Sequence, residues 1–153
     1  MKTEIIPHVG FGKVKLGQTL GQIEKLLGKP NENKRNYYRE DNSNEVVLKY
    51  HHIGADLVFS SDNSFRLSSI TLFSRAFTLN GKSLIGSNQS ELILKFKNLF
   101  EDLKLDDDFE ELNAKDYSID SIGISFWLDN GIIESITLFP KYQNDNETII
   151  WPK

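Results

Sequence analysis

The tetrapeptide Ile70-Thr71-Leu72-Phe73 returns as Ile136-Thr137-Leu138-Phe139, and it returns in matching company. Phe59 recurs as Phe126, and Asp62-Asn63 as Asp129-Asn130. Upstream, Gly17 and Gly86 each stand two residues before a residue able to cap a helix, Thr19 and Asn88. The offsets run from 69 at the glycines to 66 at the tetrapeptides, a drift that small changes in loop length absorb. Self-similarity in matched order constrains a chain more than any single motif, because each copy has to form the same unit.

The grammar of each unit can be read locally. Thr19 with Gln22 can form a capping box, and Asn88 with Glu91 can do the same. Leu20, Ile23 and Leu27 share one helical face, and Gly28 with Pro30 ends the segment, so a helix is predicted from Leu20 to about Leu27. A second is predicted from Gln89 to about Leu103, with Leu92, Phe96, Leu99 and Leu103 as its buried stripe. Strands are expected over 36–39, 45–50, 55–59 and 67–73, then over 117–120, 123–128 and 132–139. Asn130-Gly131 suits a tight hairpin turn, since both residues tolerate positive φ, and Asn80-Gly81 suits a hairpin linking the units. Residues 148–151 read as a last edge strand that Pro152 stops. The expected fold class is α+β: two tandem helix-plus-antiparallel-sheet repeats, about 9–75 and 76–140, with a C-terminal tail 141–153, in one compact domain. Such repeats can share one curved sheet with the helices on one face.

Several chemistries lack their residues. Without cysteine there is no disulfide framework, thiol nucleophile or thiolate metal site. His51 and His52 are adjacent, so in a strand they face opposite sides and cannot chelate one metal. Gly10-Phe11-Gly12 lacks the third glycine of a dinucleotide loop, and no Gly-x-Ser-x-Gly occurs. The chain is expected to be non-enzymatic, with no catalytic residues, no metal and no cofactor. No stretch reaches the 18 apolar residues of a membrane span, and Pro7 interrupts the start, so a cytoplasmic protein with no membrane partner is expected.

The net charge of −4 hides a segregation. Residues 1–75 carry 11 basic and 8 acidic side chains, whereas residues 76–153 carry 7 and 14. The excess is concentrated in residues 101–120, where nine acids face only Lys104 and Lys115. Read as a loop leaving the second helix, this stretch begins where the helix dipole disfavours acids, so a role other than stability is expected for it. That role is an acidic docking surface for a basic partner, weighed against a merely solvated loop. Its residues are Asp106, Asp107, Asp108, Glu110, Glu111 and Asp116. A calcium loop fails on spacing, because Glu111 stands where the turn glycine is needed. Residues 25–39 form a basic counterpart with Tyr37 and Tyr38 interleaved, but the overall acidity opposes nucleic-acid binding. If Phe126 is core, Trp127 faces the other way, and Trp127 with Tyr50 is expected on an exposed sheet face rich in interface residue types.

Leu16-Gly17-Gln18-Thr19, followed by Leu27-Gly28-Lys29-Pro30, is similar to the repeat signature of the β-lactamase-inhibitor-protein superfamily and of related small outer-membrane assembly lipoproteins. The resemblance implies two stacked helix-plus-sheet units and a protein that binds a protein. The segment from Ile53-Gly54 to Leu79-Asn80-Gly81 also resembles small bacterial proteins found beside polymorphic toxin genes. That likeness implies an immunity protein that neutralises a cognate toxin, with a basic toxin domain as partner. The alternative is a structural or assembly module of the small-lipoprotein type that binds an endogenous protein.

Overall fold

The structure is a computed structural model that describes residues 3–153. Among the described residues, eight strands hydrogen-bond into one antiparallel sheet. In chain order they are β1 (Glu32–Tyr38), β2 (Ser43–Tyr50), β3 (Ala55–Ser60), β4 (Arg66–Leu72), β5 (Leu103–Phe109), β6 (Ala114–Ile119), β7 (Ile124–Asp129) and β8 (Ile132–Leu138). Their spatial order is β5-β6-β7-β8-β4-β3-β2-β1. Each half of the chain supplies a four-stranded meander, and the meanders meet along their last strands. There Thr71 stands opposite Thr137, between the pairs Ile70–Leu138 and Leu72–Ile136. The two threonine hydroxyls hydrogen-bond at 3.1 Å. The recurring tetrapeptides thus pair with each other across the middle of the sheet.

This architecture overturns the α+β expectation of helices layered on a sheet face. The chain is mostly β, 46% strand against 17% helical. Among the described residues its two α-helices, α1 (Leu20–Leu27) and α2 (Gln89–Phe96), have eight residues each. An eight-residue helix is about 12 Å long, whereas eight strands span roughly 34 Å. α1 buries only Ile23, and α2 only Leu92 and Phe96. The remaining core cover comes from short strand pairs and connections: Ile5, Phe11, Val14 and Leu16 near the start, and Phe77, Leu79, Leu84 and Ile85 between the halves.

Local signals explain where the elements begin and end. α1 spans the predicted residues, and Thr19 and Gln22 make both bonds of the capping box. Asn88 accepts from the Glu91 backbone N–H at 2.9 Å. The reciprocal bond is absent, and Glu91 pairs instead with Lys95 at 3.7 Å. α2 stops at Phe96, not Leu103. The Phe100 N–H still donates to the Phe96 carbonyl, and the two rings stack at 5.7 Å, but the chain then turns. Leu99, expected in the buried stripe, is 54% exposed. Leu103 opens β5, so the acidic segment is a terminal strand and a turn, not a loop leaving a helix.

Gly17 and Gly86 have φ of +94° and +92°, the region that a side chain disfavours. Each donates its N–H at 2.8 Å to the carbonyl of the second residue of the last sheet strand in its half, Leu67 or Ile133. The predicted Asn-Gly turns at 80–81 and 130–131 have positive φ at both residues, as a two-residue hairpin turn requires. Residues Ile149–Ile150 pair with Lys141–Tyr142. The tail then returns to the first half, where the Arg66 guanidinium lies 4.9 Å from the Trp151 ring centre.

Candidate functional site

One face of the sheet carries the core and the other is open. On β7, Ile124, Phe126 and Leu128 are buried, while Ser125 and Trp127 alternate onto the open face. The pairing register carries that alternation outward. Trp127 stands opposite Asp116 on β6, and Asp116 stands opposite Asp107 on β5. The Phe109 ring lies 5.6 Å from the Trp127 ring. Asp107, Asp116, Phe109 and Trp127 therefore share the open face at one end of the sheet. Among the described residues β5 bonds only to β6, and its residues from Lys104 to Phe109 are all exposed. Glu110 and Glu111 follow in an exposed 3-10 turn.

The charges here are only partly compensated. Asp106 sits in a β-bulge between Leu105 and Asp107. Lys104 lies 3.8 Å from Asp106 but bonds Asp120 at 2.7 Å. Asp107, Asp108, Glu110 and Glu111 make no ion pair among the described residues. Partial burial, then the carboxylates of Asp106 and Asp107, holds the Asp116 carboxyl above its ordinary range. A carboxyl raised on folding binds its proton more tightly in the folded state, so it removes stability as pH rises through the raised value. Asp116→Asn is expected to raise the melting temperature at pH 7 by about 1–3 °C, with the gain shrinking as pH falls through the carboxylate range. Melts at pH 7 and pH 4 test this, and an equal or larger gain at pH 4 would refute it.

Tyr50 does not belong to this surface. It is fully buried on the core side of β2, and its hydroxyl donates to the Gly28 carbonyl at 2.8 Å. Burial, with Glu24 adding, pushes that hydroxyl up to about 12. The strand ends there, so His51 and His52 lie in a turn, where His51 bonds Glu32 at 2.9 Å. Trp127 is half-buried on the open face, as expected. Phe109 was missed by sequence reasoning, because a run of three aspartates conceals a strand whose last residue is aromatic.

The opposite terminal strand, β1, carries Lys34 and Arg35 with Tyr37 and Tyr38. The tyrosine hydroxyls are tied to Asn42 and Glu45, and both rings stay exposed. The sheet thus has an acidic end and a basic end.

A cleft of about 400 Å³ is lined by His8, Ser118, Asp120, Gly123, Phe139 and Tyr142 among others, with Ser118 two residues along β6 from Asp116. The His8 Nε2 is engaged by the Ser121 carbonyl at 2.9 Å. Its lining carboxylate, Asp120, is exposed and held by Lys104. Among the described residues no three histidine or carboxylate side chains converge as metal ligands, and no helix is long and apolar enough to cross a membrane.

No protein-family model matches this chain, and a comparison with curated proteins finds no match. Among solved structures it is similar to the uncharacterized protein yfeY from Escherichia coli. The two are 12% identical, the match covers 91% of this chain and 99% of that one, and the TM-score is 0.52. At that identity the likeness concerns the fold alone.

Proposed function

We propose that this chain is a non-enzymatic, cytoplasmic binding protein: an immunity protein that neutralises a cognate bacterial toxin through its acidic surface. The observation that carries this reading is the gathering of Asp107, Asp116, Phe109 and Trp127 on one open face, with Asp106, Asp108, Glu110 and Glu111 at its rim. Uncompensated carboxylates steer a basic partner, and an aromatic pair beside them offers desolvated contact area once it docks. A basic cleft that binds phosphate is the surface such a patch fits. The resemblance to proteins encoded beside toxin genes supports the same assignment.

We infer also that the two halves are tandem repeats from a duplication. The matched glycine hydrogen bonds, the matched caps and the pairing of Thr71 with Thr137 support it. On that reading β5 is the counterpart of β1, and their charges have diverged to opposite signs.

Co-expression with the toxin encoded by the neighbouring gene tests the proposal. Growth should be rescued, and the two proteins should co-purify at low salt. Absence of both rescue and co-purification would refute it.

A further inference from the structure

Both ends of the eight-stranded sheet are open. β1 and β5 each have seven residues, and in each the first residue is half-buried and the other six are exposed. Among the described residues each pairs on one side only. A strand of that length leaves a row of N–H and C=O groups ready to pair with another chain. Proteins blunt such edges with charge, and here the two edges carry opposite charge. β1 presents Lys34 and Arg35, with Arg39 just beyond it. β5 presents Asp106, Asp107 and Asp108.

We propose that the occupant of each edge is a second copy of this chain, its β5 adding to the β1 of its neighbour in a head-to-tail contact. The strand directions suit it. Every neighbouring pair in the sheet is antiparallel, and eight is an even number, so β1 and β5 run in opposite directions. A copy turned to follow the twist of the sheet therefore meets the first antiparallel, and the alternation continues.

The side chains agree with that junction. Lys34 stands opposite Val47 and Asp107 opposite Asp116, both on the open face. Arg35 stands opposite buried Val46, and Asp108 opposite Lys115, whose amine reaches Gln89 of α2 on the core side. A register that sets Arg35 across from Asp108 puts Lys34 diagonal to Asp107, so both ion pairs fall on matching faces. Arg35, Asp107 and Asp108 make no ion pair within the chain among the described residues. Like edges repel: β5 against β5 opposes carboxylates, and β1 against β1 opposes cations. Glu32, 3.7 Å from Lys34, is the one acid of β1, and Lys104 is the one base of β5, so the net charge of each edge disfavours symmetric pairing and favours the unlike one. Such a contact is heterologous, so it extends into chains of copies and does not close as a two-fold dimer.

The contact depends on this protein alone and not on the toxin reading, although a partner seated on β5 would cap the growing chain. Sedimentation velocity over a concentration series tests it. Association is expected at about 20 mM salt, where the Debye length is roughly 20 Å, and is expected to be lost at about 500 mM, where it is roughly 4 Å. The variants Lys34→Asp/Arg35→Asp and Asp107→Lys/Asp108→Lys should each be monomeric alone, because all edges then carry one sign. Mixed in equal amounts, they should associate again. The pair Asp107→Asn/Asp108→Asn, milder on the fold, should weaken self-association by roughly tenfold. A monomer at about 1 mM protein in low salt would overturn the proposal. So would folded charge-reversed variants that associate as the unaltered chain does.

Discussion

Phe126→Ala is expected to lower the unfolding free energy by about 3–5 kcal/mol and to shift a single transition without splitting it. Phe126 is fully buried on β7, opposite Tyr117 on β6 and Ile136 on β8. Its truncation leaves a cavity that rigid neighbouring strands close only in part. Phe59, at the corresponding place in the first half, is also fully buried, and Phe59→Ala should cost a similar amount. Domains of this kind hold about 5–15 kcal/mol in total, so either change removes a large share. The cooperative claim is the sharper one. β4 and β8 bond along the sheet centre, and one continuous cluster holds buried residues from both halves. Losing Phe126 should therefore weaken the first half as much as the second. Urea unfolding followed by tryptophan fluorescence and by far-UV circular dichroism checks this. Two separated midpoints, or a cost below about 1.5 kcal/mol, would contradict a shared core.

Much of this organisation was legible in the residues, for identifiable reasons. Strands with clean alternation, such as Ala55–Ser60 and Ile124–Asp129, declare themselves, because one face must be apolar and the other need not be. α1 could be bounded because Thr19 and Gly28 mark its ends chemically. The second helix had a start signal in Asn88 but no stop, since neither glycine nor proline follows Phe96 until Gly123. Apolar residues at 99 and 103 then continued the helical period by accident. Leu99 faces solvent, and Leu103 is already in β5. The terminal strands were harder still. An edge strand needs no apolar face, so β1 and β5 show no hydrophobic alternation over most of their length. The internal similarity held the missing signal: a strand before β2 in the first half calls for one before β6 in the second. Trp127 could be assigned to the open face because Phe126 had to be core. Tyr50 could not, since a long aromatic at a strand end serves either side. The Gly28 carbonyl that captures its hydroxyl comes from a distant turn. The α+β class failed for a related reason: periodicity reveals that a helix exists, but not whether it is large enough to be a layer.

The acidic surface should matter for speed more than for fold. Replacing Asp106, Asp107 and Asp108 with Asn, and Glu110 and Glu111 with Gln, should slow association with a basic partner by about 10-fold or more at low salt, within the range for electrostatic steering. All five residues are exposed, and among the described residues only Asp106 has a basic side chain within 4 Å, so removing these charges breaks no fully buried contact. Relief of mutual repulsion, which also raises the Asp116 carboxyl, should leave thermal stability equal or slightly higher. The dissociation rate should change less than the association rate, because rim charges act at long range and the Phe109–Trp127 pair remains. The slope of the association rate against ionic strength should flatten, since the screened interaction is the one removed. Stopped-flow measurements from about 20 to 500 mM salt separate these effects. An unchanged rate and slope in the folded variant would refute a docking role for this surface. Truncating Trp127 to Ala in the unaltered charge background should do the reverse, speeding dissociation while leaving the salt slope intact. On the proposed reading that contrast would divide the surface physically: carboxylates on β5 and its turn would gather a partner, and the aromatic pair beside Asp116 would hold it.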